Sequence, residues 1–157
     1  MIEIRSAERC DVPLILAFVR KLAEYERLLH VVVATEADVV RDLFGANPRV
    51  FCDLAFWEGA PAGFALWFHN YSTFRGRHGL YLEDLFVEPS YRGRGIGKAL
   101  LRHLAQRCQA DGLARLEWQV LDWNAPSIAF YKSLGAVAVD DWTVFRLTDE
   151  ALKKLAE

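Results

Sequence analysis

The spacing of apolar side chains changes period along this chain, and each change marks an element. Ile2 to Arg5 alternates apolar and charged residues, as a short strand does. Leu14, Ile15, Phe18, Val19 and Leu22 recur at helical spacing, with Asp11 as a candidate N-cap and Pro13 just inside the first turn, and this helix should run to about Tyr25 or Leu28. Thr35 opens a second, short helix with Asp38 three residues on as a capping box, and Gly45, Asn47 and Pro48 end it. The apolar stretch His30 to Ala34 between them fits neither period.

Strand-like runs follow at Val50 to Trp57 and Ala62 to Tyr71, joined by the turn Glu58-Gly59-Ala60-Pro61, so the pair predicts an antiparallel hairpin. A polar loop from Asn70 to Gly79 leads to LYLEDLFV, Leu80 to Val87, an apolar strand interrupted by two acids. Arg92-Gly93-Arg94-Gly95-Ile96-Gly97 then turns the chain into a long amphipathic helix that Asp111-Gly112 stops. Leu116, Trp118 and Val120 alternate with Glu117 and Gln119 as a fifth strand. Asn124 and Ser127 begin another helix, Gly135 fits its left-handed C-terminal cap, Thr143 to Leu147 predicts a last strand, and Thr148 caps a C-terminal helix. The order β, α, α, β, β, β, α, β, α, β, α predicts an α/β (α+β) fold, a mixed sheet with helices on both faces.

Composition narrows this picture. With 157 residues, 53% of them apolar, one well-buried core and a single domain over 1–157 are expected. A net charge of −2 argues against a general nucleic-acid binder. No apolar run reaches the roughly 20 residues of a membrane span, and Met1 leads straight into Ile-Glu-Ile-Arg, so no membrane segment or secretory leader is expected. Cys10, Cys52 and Cys108 lie far apart without metal spacing; packing in the core and a reducing, cytoplasmic location are the expectations. His30, His69, His78 and His103 show no ligand spacing either, so surface or loop positions and no metal are expected.

The turn after Val87 is where chemistry enters. Its glycines let the backbone approach a ligand, and the first-turn N–H groups of the following helix favour an anion, phosphate above all. A dinucleotide fingerprint fails because Lys98 stands where a third glycine should follow Gly93 and Gly95, and a P-loop fails because Arg92 precedes Gly97 by five and Ala99 follows Lys98.

Arg92-x-x-Gly95-x-Gly97 resembles the pyrophosphate-binding motif of the GNAT superfamily of N-acetyltransferases. LAEYE (Leu22 to Glu26), YLEDLFV (Tyr81 to Val87), YRGRGIGKALL (Tyr91 to Leu101), WNAPSIAFYKSLGA (Trp123 to Ala136) and the acidic-Trp stretch Asp140 to Trp142 resemble, in order, the spermidine/spermine and thialysine acetyltransferase subfamily. The resemblance implies a mostly antiparallel GNAT sheet with a splayed strand pair at the cofactor site, acetyl-CoA as co-substrate, and a homodimer. It implies that Gly93, Arg94, Gly95, Ile96, Gly97 and Lys98, with Arg92, hold the pyrophosphate, and that the strand edge Leu85, Phe86 and Val87 pairs with pantetheine. The helix start at Asn124, Pro126 and Ser127 resembles the family's second cofactor segment. Tyr25 and Glu26 would lie at the acceptor mouth, although a solvated helix end is the plainer reading of those two residues.

Acetyl transfer to an amine needs a base and an acid. Glu83 and Asp84 are adjacent on a strand and so face opposite sides; one of them must be buried, paired or in a cleft. Following the family, Glu83 is assigned to base and substrate binding, and Asp84 to substrate binding or structure. Tyr131 keeps its phenolic proton at neutral pH and could give it to a leaving thiolate; by itself a Tyr beside Phe130 in an amphipathic helix is more often core than catalytic, and the N-x-x-S-x-x-F-Y-K resemblance reverses that in favour of the acid. Asp140 or Asp141 could add a further carboxylate. The chain departs from the polyamine enzymes at Ser72-Thr73-Phe74, where they carry an acidic residue, which favours a small cationic amine over a long polycation. With no paired Cys and His and no GxSxG element, direct attack in a ternary complex is expected. A non-catalytic acyl-CoA-binding module would need neither Tyr131 nor Glu83, and a protein acetyltransferase would need a long groove free of acids. Trp57, Trp67, Phe68 and the last strand are the apolar candidates for a dimer surface, with core packing equally open for the Trp residues.

Overall fold

The computed structural model describes residues 1–157, which divide into two compact units, Met1–Gln119 and Val120–Glu157. In the first unit, β1 (Ile2–Ser6), α1 (Val12–Tyr25), α2 (Glu36–Phe44), β2 (Phe51–Trp57), β3 (Ala60–Ser72), β4 (Arg77–Val87), α3 (Ile96–Ala110) and β5 (Leu116–Trp118) follow the expected order. The sheet order is β1-β2-β3-β4-β5, antiparallel throughout except for the parallel pair β4–β5. That last ladder joins Leu80 to Leu116, Tyr81 to Glu117 and Leu82 to Trp118 and then stops, while β4 continues to Val87. From Glu83 onward, β4 therefore has no ladder partner on its β5 side.

One face of the sheet is covered by α1 and α2. Val12, Ile15 and Phe18 of α1 and Val39 of α2 pack on Cys52, Leu54, Phe64 and Phe86, with the Phe18 ring 5.5 Å from Phe64 and 5.8 Å from Phe86. Each such aromatic removed from water contributes roughly 1.5–3 kcal/mol before entropy is counted. On the other face, α3 buries Ile96, Leu100, Leu101, Leu104 and Cys108 at helical spacing, and its His103 meets the buried Asp53 of β2.

Local signals hold at several ends. Thr35 and Asp38 form the expected reciprocal cap, and Gly112 takes a φ of 65° just beyond α3. Asp11 departs from its expected role. It makes no side-chain cap to α1; its carboxylate instead takes a bidentate Arg5 guanidinium at 2.7 and 3.0 Å and the Glu8 N–H at 2.7 Å. A charge-assisted pair to β1 outcompetes a single amide donor. The polar loop after β3 is also shorter than expected, because β3 and β4 pair out to Ser72 and Arg77. Of the stretch His30 to Ala34, only His30 and Val31 belong to a regular element, the short 3-10 turn Leu29–Val31. Cys52 and Cys108 are buried as expected, whereas Cys10 is exposed in the turn before α1.

The second unit holds α4 (Ala125–Ser133) and α5 (Asp149–Ala156). Asn124 caps α4 by accepting the Ser127 N–H at 3.3 Å, and Gly135 closes it with a φ of 91°. The strand expected at Thr143 to Leu147 is not formed. Alternating apolar residues mark strand propensity, but a strand exists only with a ladder partner, and Val144 and Phe145 stand exposed. No helix of the chain is long and apolar enough to cross a membrane.

Candidate active site

A β-bulge sets the geometry of the two acids. β3 pairs Leu66 with Asp84 and Trp67 with Leu82, which leaves Glu83 as the extra residue. Directly paired residues share a face of a sheet. Leu82 therefore lies with Trp67 on the α3 side, whereas Asp84 lies with Leu66, and Phe86 with Phe64, on the α1 side. An unbulged strand would have put Leu82, Asp84 and Phe86 on one face. The extra residue re-aims Asp84 and leaves Glu83 exposed beside it.

Three carboxyls are gathered as a result. Burial pushes the Asp84 carboxyl up to about 7, and the charges of Glu83 and Glu26 add to the shift. Glu26, at the C-terminal end of α1, is raised by burial and then by Glu83. Tyr81, on the same strand, has its phenol raised by burial, then by Glu83 and Glu117. The charge of Glu83 thus raises Asp84, Glu26 and Tyr81 alike, so the cluster favours an arriving cation that neutralises it.

The glycine turn follows the C-terminal end of β4, beyond Val87. Gly95 is the N-cap of α3 in the left-handed region (φ 81°), with no side chain to satisfy the helix's first N–H groups. A Cβ at Gly93 or Gly95 would meet nothing within 4 Å, so the space before the turn is open. Ile96 is buried and anchors the turn from beneath, while Arg94, Gly95 and Lys98 are exposed. The turn therefore fits a phosphate group held by backbone amides and the helix dipole. Leu85, Phe86 and Val87 lie on the stretch of β4 beyond the β5 ladder, an edge that could donate N–H groups to an extended amide ligand.

Neither cation at the start of the turn points into open solvent alone. Arg92 donates from Nε to the Val87 carbonyl at 3.1 Å and stacks over Tyr25 at 5.0 Å and Phe86 at 5.8 Å. Arg94 lies over Trp57 at 4.9 Å and Tyr91 at 5.6 Å. Sequence reading did not foresee these stacks; aromatic residues at positions 25, 57, 86 and 91 around an arginine pair were the available signal.

In the second unit, Asn124 is buried, Pro126 stands in the first turn of α4, and Tyr131 lies on α4 with its ring 5.6 Å from Phe130. Asp140 and Asp141 are exposed in a turn. Trp67, for which surface and core were equally open, is buried and hydrogen-bonded to Asp53. His103 is not at a loop or fully at the surface, but half-buried on α3 against the same carboxylate. A separate cavity lined by Phe51, Trp67, His69 and Arg107 includes none of the expected site residues.

Residues 18–136 match the acetyltransferase (GNAT) family model. The chain is 38% identical to the thialysine N-epsilon-acetyltransferase of Bos taurus, over 98% of this chain and 96% of that protein. It is 31% identical to an L-ornithine N5-acetyltransferase of Arabidopsis thaliana, over 97% and 86% of the two chains. Among solved structures, an integron cassette protein from the mobile metagenome of V. cholerae superposes with a TM-score of 0.82 at 27% identity, covering 99% of this chain and 98% of that one. An aminoglycoside acetyltransferase from an uncultured soil metagenomic sample shares the fold at a TM-score of 0.80 and 17% identity, over 95% and 97% of the two chains.

Proposed function

The chain belongs to the acetyltransferase (GNAT) family and is an N-acetyltransferase, and on that premise we propose that it acetylates a primary amine of a small cationic acceptor, such as a thialysine-like amino acid or a short diamine, using acetyl-CoA. The observation that carries the acceptor class is the cluster of Glu26, Glu83 and Asp84, in which burial raises the Asp84 and Glu26 carboxyls and the charge of Glu83 adds to both shifts. A protein lysine or N-terminus would call for an open groove without such a concentration of acids. The thialysine and ornithine acceptors in the names of the relatives support the same class.

Acetyl-CoA would supply an activated acyl carbon as its thioester. The amides of Gly93 to Lys98 would hold its pyrophosphate, and the β4 edge at Leu85, Phe86 and Val87 its pantetheine arm, with an N–H there polarising the thioester carbonyl. Asn124, Pro126 and Ser127 would contribute the second cofactor segment. Tyr25 and Glu26 would line the acceptor mouth. Glu83 and Asp84 would receive the proton of the acceptor ammonium, Asp84 being the better suited to hold it near neutral pH. The freed amine lone pair then forms the new C–N bond directly in a ternary complex as the C–S bond breaks. The N-x-x-S-x-x-F-Y-K resemblance supports Tyr131 as the donor of the proton that the leaving thiolate takes up.

The family match spans parts of both compact units, which supports one acetyltransferase domain over 1–157. Exposed Val137, Val139, Trp142, Val144 and Phe145 suit burial in a homodimer. The free thiols of Cys10, Cys52 and Cys108 suit a reducing, cytoplasmic compartment. The test is acetyl-CoA-dependent thiol release over a panel of small amines, for wild type and Tyr131→Phe. Release with diamines or basic amino acids, reduced in the variant, is expected. No release with any amine would overturn catalysis in favour of an acyl-CoA-binding module, and undiminished release in the variant would remove Tyr131 from the mechanism.

A further inference from the structure

Arg92 opens the glycine turn, and a guanidinium in that place invites assignment as a phosphate ligand. Its contacts run the other way. Nε is engaged by the Val87 carbonyl, and the guanidinium plane is taken up by the rings of Tyr25 and Phe86. Tyr25 is the last residue of α1, next to the acceptor-side Glu26. One helical turn earlier on α1, Lys21 pairs with Glu88. Lys21 and Tyr25 are four apart on one helix face, and Glu88 and Arg92 are four apart across the short 3-10 turn Pro89–Tyr91 that feeds the glycine turn. Two pins, one an ion pair and one a cation–ring stack, thus tie the C-terminal end of α1 to the segment leading into the cofactor turn. Among the basic residues of the turn, Lys98 is exposed on the first turn of α3.

We propose that Arg92 is a positioning residue: it locks the end of α1, with Tyr25 and Glu26, to the cofactor turn, so that binding of CoA and binding of the cationic amine strengthen each other. This rests on the acetyltransferase reading above. Filling the turn fixes Val87 and Arg92; Arg92 fixes the Tyr25 ring; and the acceptor carboxyl at position 26 is held where the amine arrives. The reciprocal effect follows from linkage, since a coupling free energy between two sites acts equally in both directions. A stack of this kind carries a coupling of about three- to tenfold.

The test is calorimetric titration of CoA and of the best-turned-over amine in the panel, each alone and with the other saturating, on wild type, Arg92→Gln, Tyr25→Leu, Tyr25→Phe and the double variant Arg92→Gln/Tyr25→Leu, with Lys98→Gln as the phosphate-contact contrast. Wild type and Tyr25→Phe should show the coupling. Arg92→Gln and Tyr25→Leu should each bring it to about one, the double variant should go no further, and Lys98→Gln should weaken CoA while keeping the coupling. Coupling absent in wild type would overturn the proposal. So would weaker CoA binding in Arg92→Gln, additive with Tyr25→Leu, because that marks a phosphate ligand. If thermal unfolding shows Arg92→Gln to be misfolded, Tyr25→Leu against Tyr25→Phe decides alone: equal coupling in both overturns it. Wild type that neither binds CoA nor turns over any amine brings down the acetyltransferase reading itself, and is told apart from the other outcomes by that first measurement.

Discussion

The indole Nε1–H of Trp67 donates to Oδ2 of Asp53 at 2.8 Å, across the β2–β3 pair. Asp53 is 1% exposed, and its other oxygen lies 3.4 Å from both Ser6 Oγ and His103 Nε2. A buried carboxylate that loses one donor keeps its full desolvation cost. Trp67→Phe should therefore destabilise the protein by about 1–3 kcal/mol, beyond the small loss of apolar area. At this chain length that is about 3–10 °C in Tm. Asp53→Asn combined with Trp67→Phe should cost less than the sum of the two, and strictly additive losses in thermal unfolding would show that the bond contributes nothing.

Arg5 and Asp11 make the second stability prediction. The bidentate guanidinium holds the Asp11 carboxyl below its usual range, helped by the Glu8 N–H. A carboxyl lowered on folding contributes stability that is present above its unfolded value near 4 and is lost as pH falls through the folded one. Asp11→Asn should thus cost about 1–2 kcal/mol at pH 7, with the gap to wild type closing at an acid pH well below the usual carboxylate range. Denaturant melts at the two pH values check it; a gap that stays constant with pH would place the cost in packing.

These two pairs also show where sequence reading stops. The helices, the hairpin and the glycine turn were legible because each is written locally: Thr35 with Asp38, Gly95 in a left-handed N-cap, Phe18 on an apolar stripe. Asp11 had the sequence of a cap and became an ion pair because Arg5, six residues earlier, reached it first. Asp53 and Trp67 carry no local signal at all, since their meeting depends on the β2–β3 register. The candidate site divides the same way. Two adjacent acids in an apolar strand were a visible anomaly, but which one turns inward and is half-buried was decided by a single extra residue in β4 opposite Leu66 and Trp67. The strand expected at Thr143 to Leu147 fails for the opposite reason: its pattern is local, and its partner is not.

The bulge has a consequence for stability as a function of pH. Asp84 is raised to about 7 in the fold, chiefly by burial, and returns to about 4 when unfolded. Between those values the folded state binds the additional proton, so stability falls as pH rises from about 4 to 7 and is level above. Asp84→Asn, which cannot ionise, should remove that decline. Its Tm should exceed that of wild type by several degrees at pH 8 and by little or nothing at pH 4.5. A difference of equal size at both pH values would mean that the ionised carboxylate is adequately solvated in place.

The same carboxyl predicts the pH dependence of acetyl transfer. A group that accepts the ammonium proton must be ionised, so kcat/KM should rise with pH through an apparent value near 7 that belongs to the coupled cluster rather than to one residue. Asp84→Asn should abolish this limb and lower kcat by about 10²–10⁴-fold, the usual contribution of a positioned base. Glu83→Gln tests the coupling with a sign. Removing the negative charge of Glu83 takes away one cause of the Asp84 shift, so the acid limb should move to lower pH while KM for the amine rises. Glu26→Gln should move it the same way by less, because burial comes first and Glu26 ranks after Glu83 among the charges that raise Asp84. Initial rates of thiol release between pH 5 and 9 give all three profiles. If the limb vanishes in Glu83→Gln and survives in Asp84→Asn, the base is the exposed residue of the bulge and not the buried one behind it.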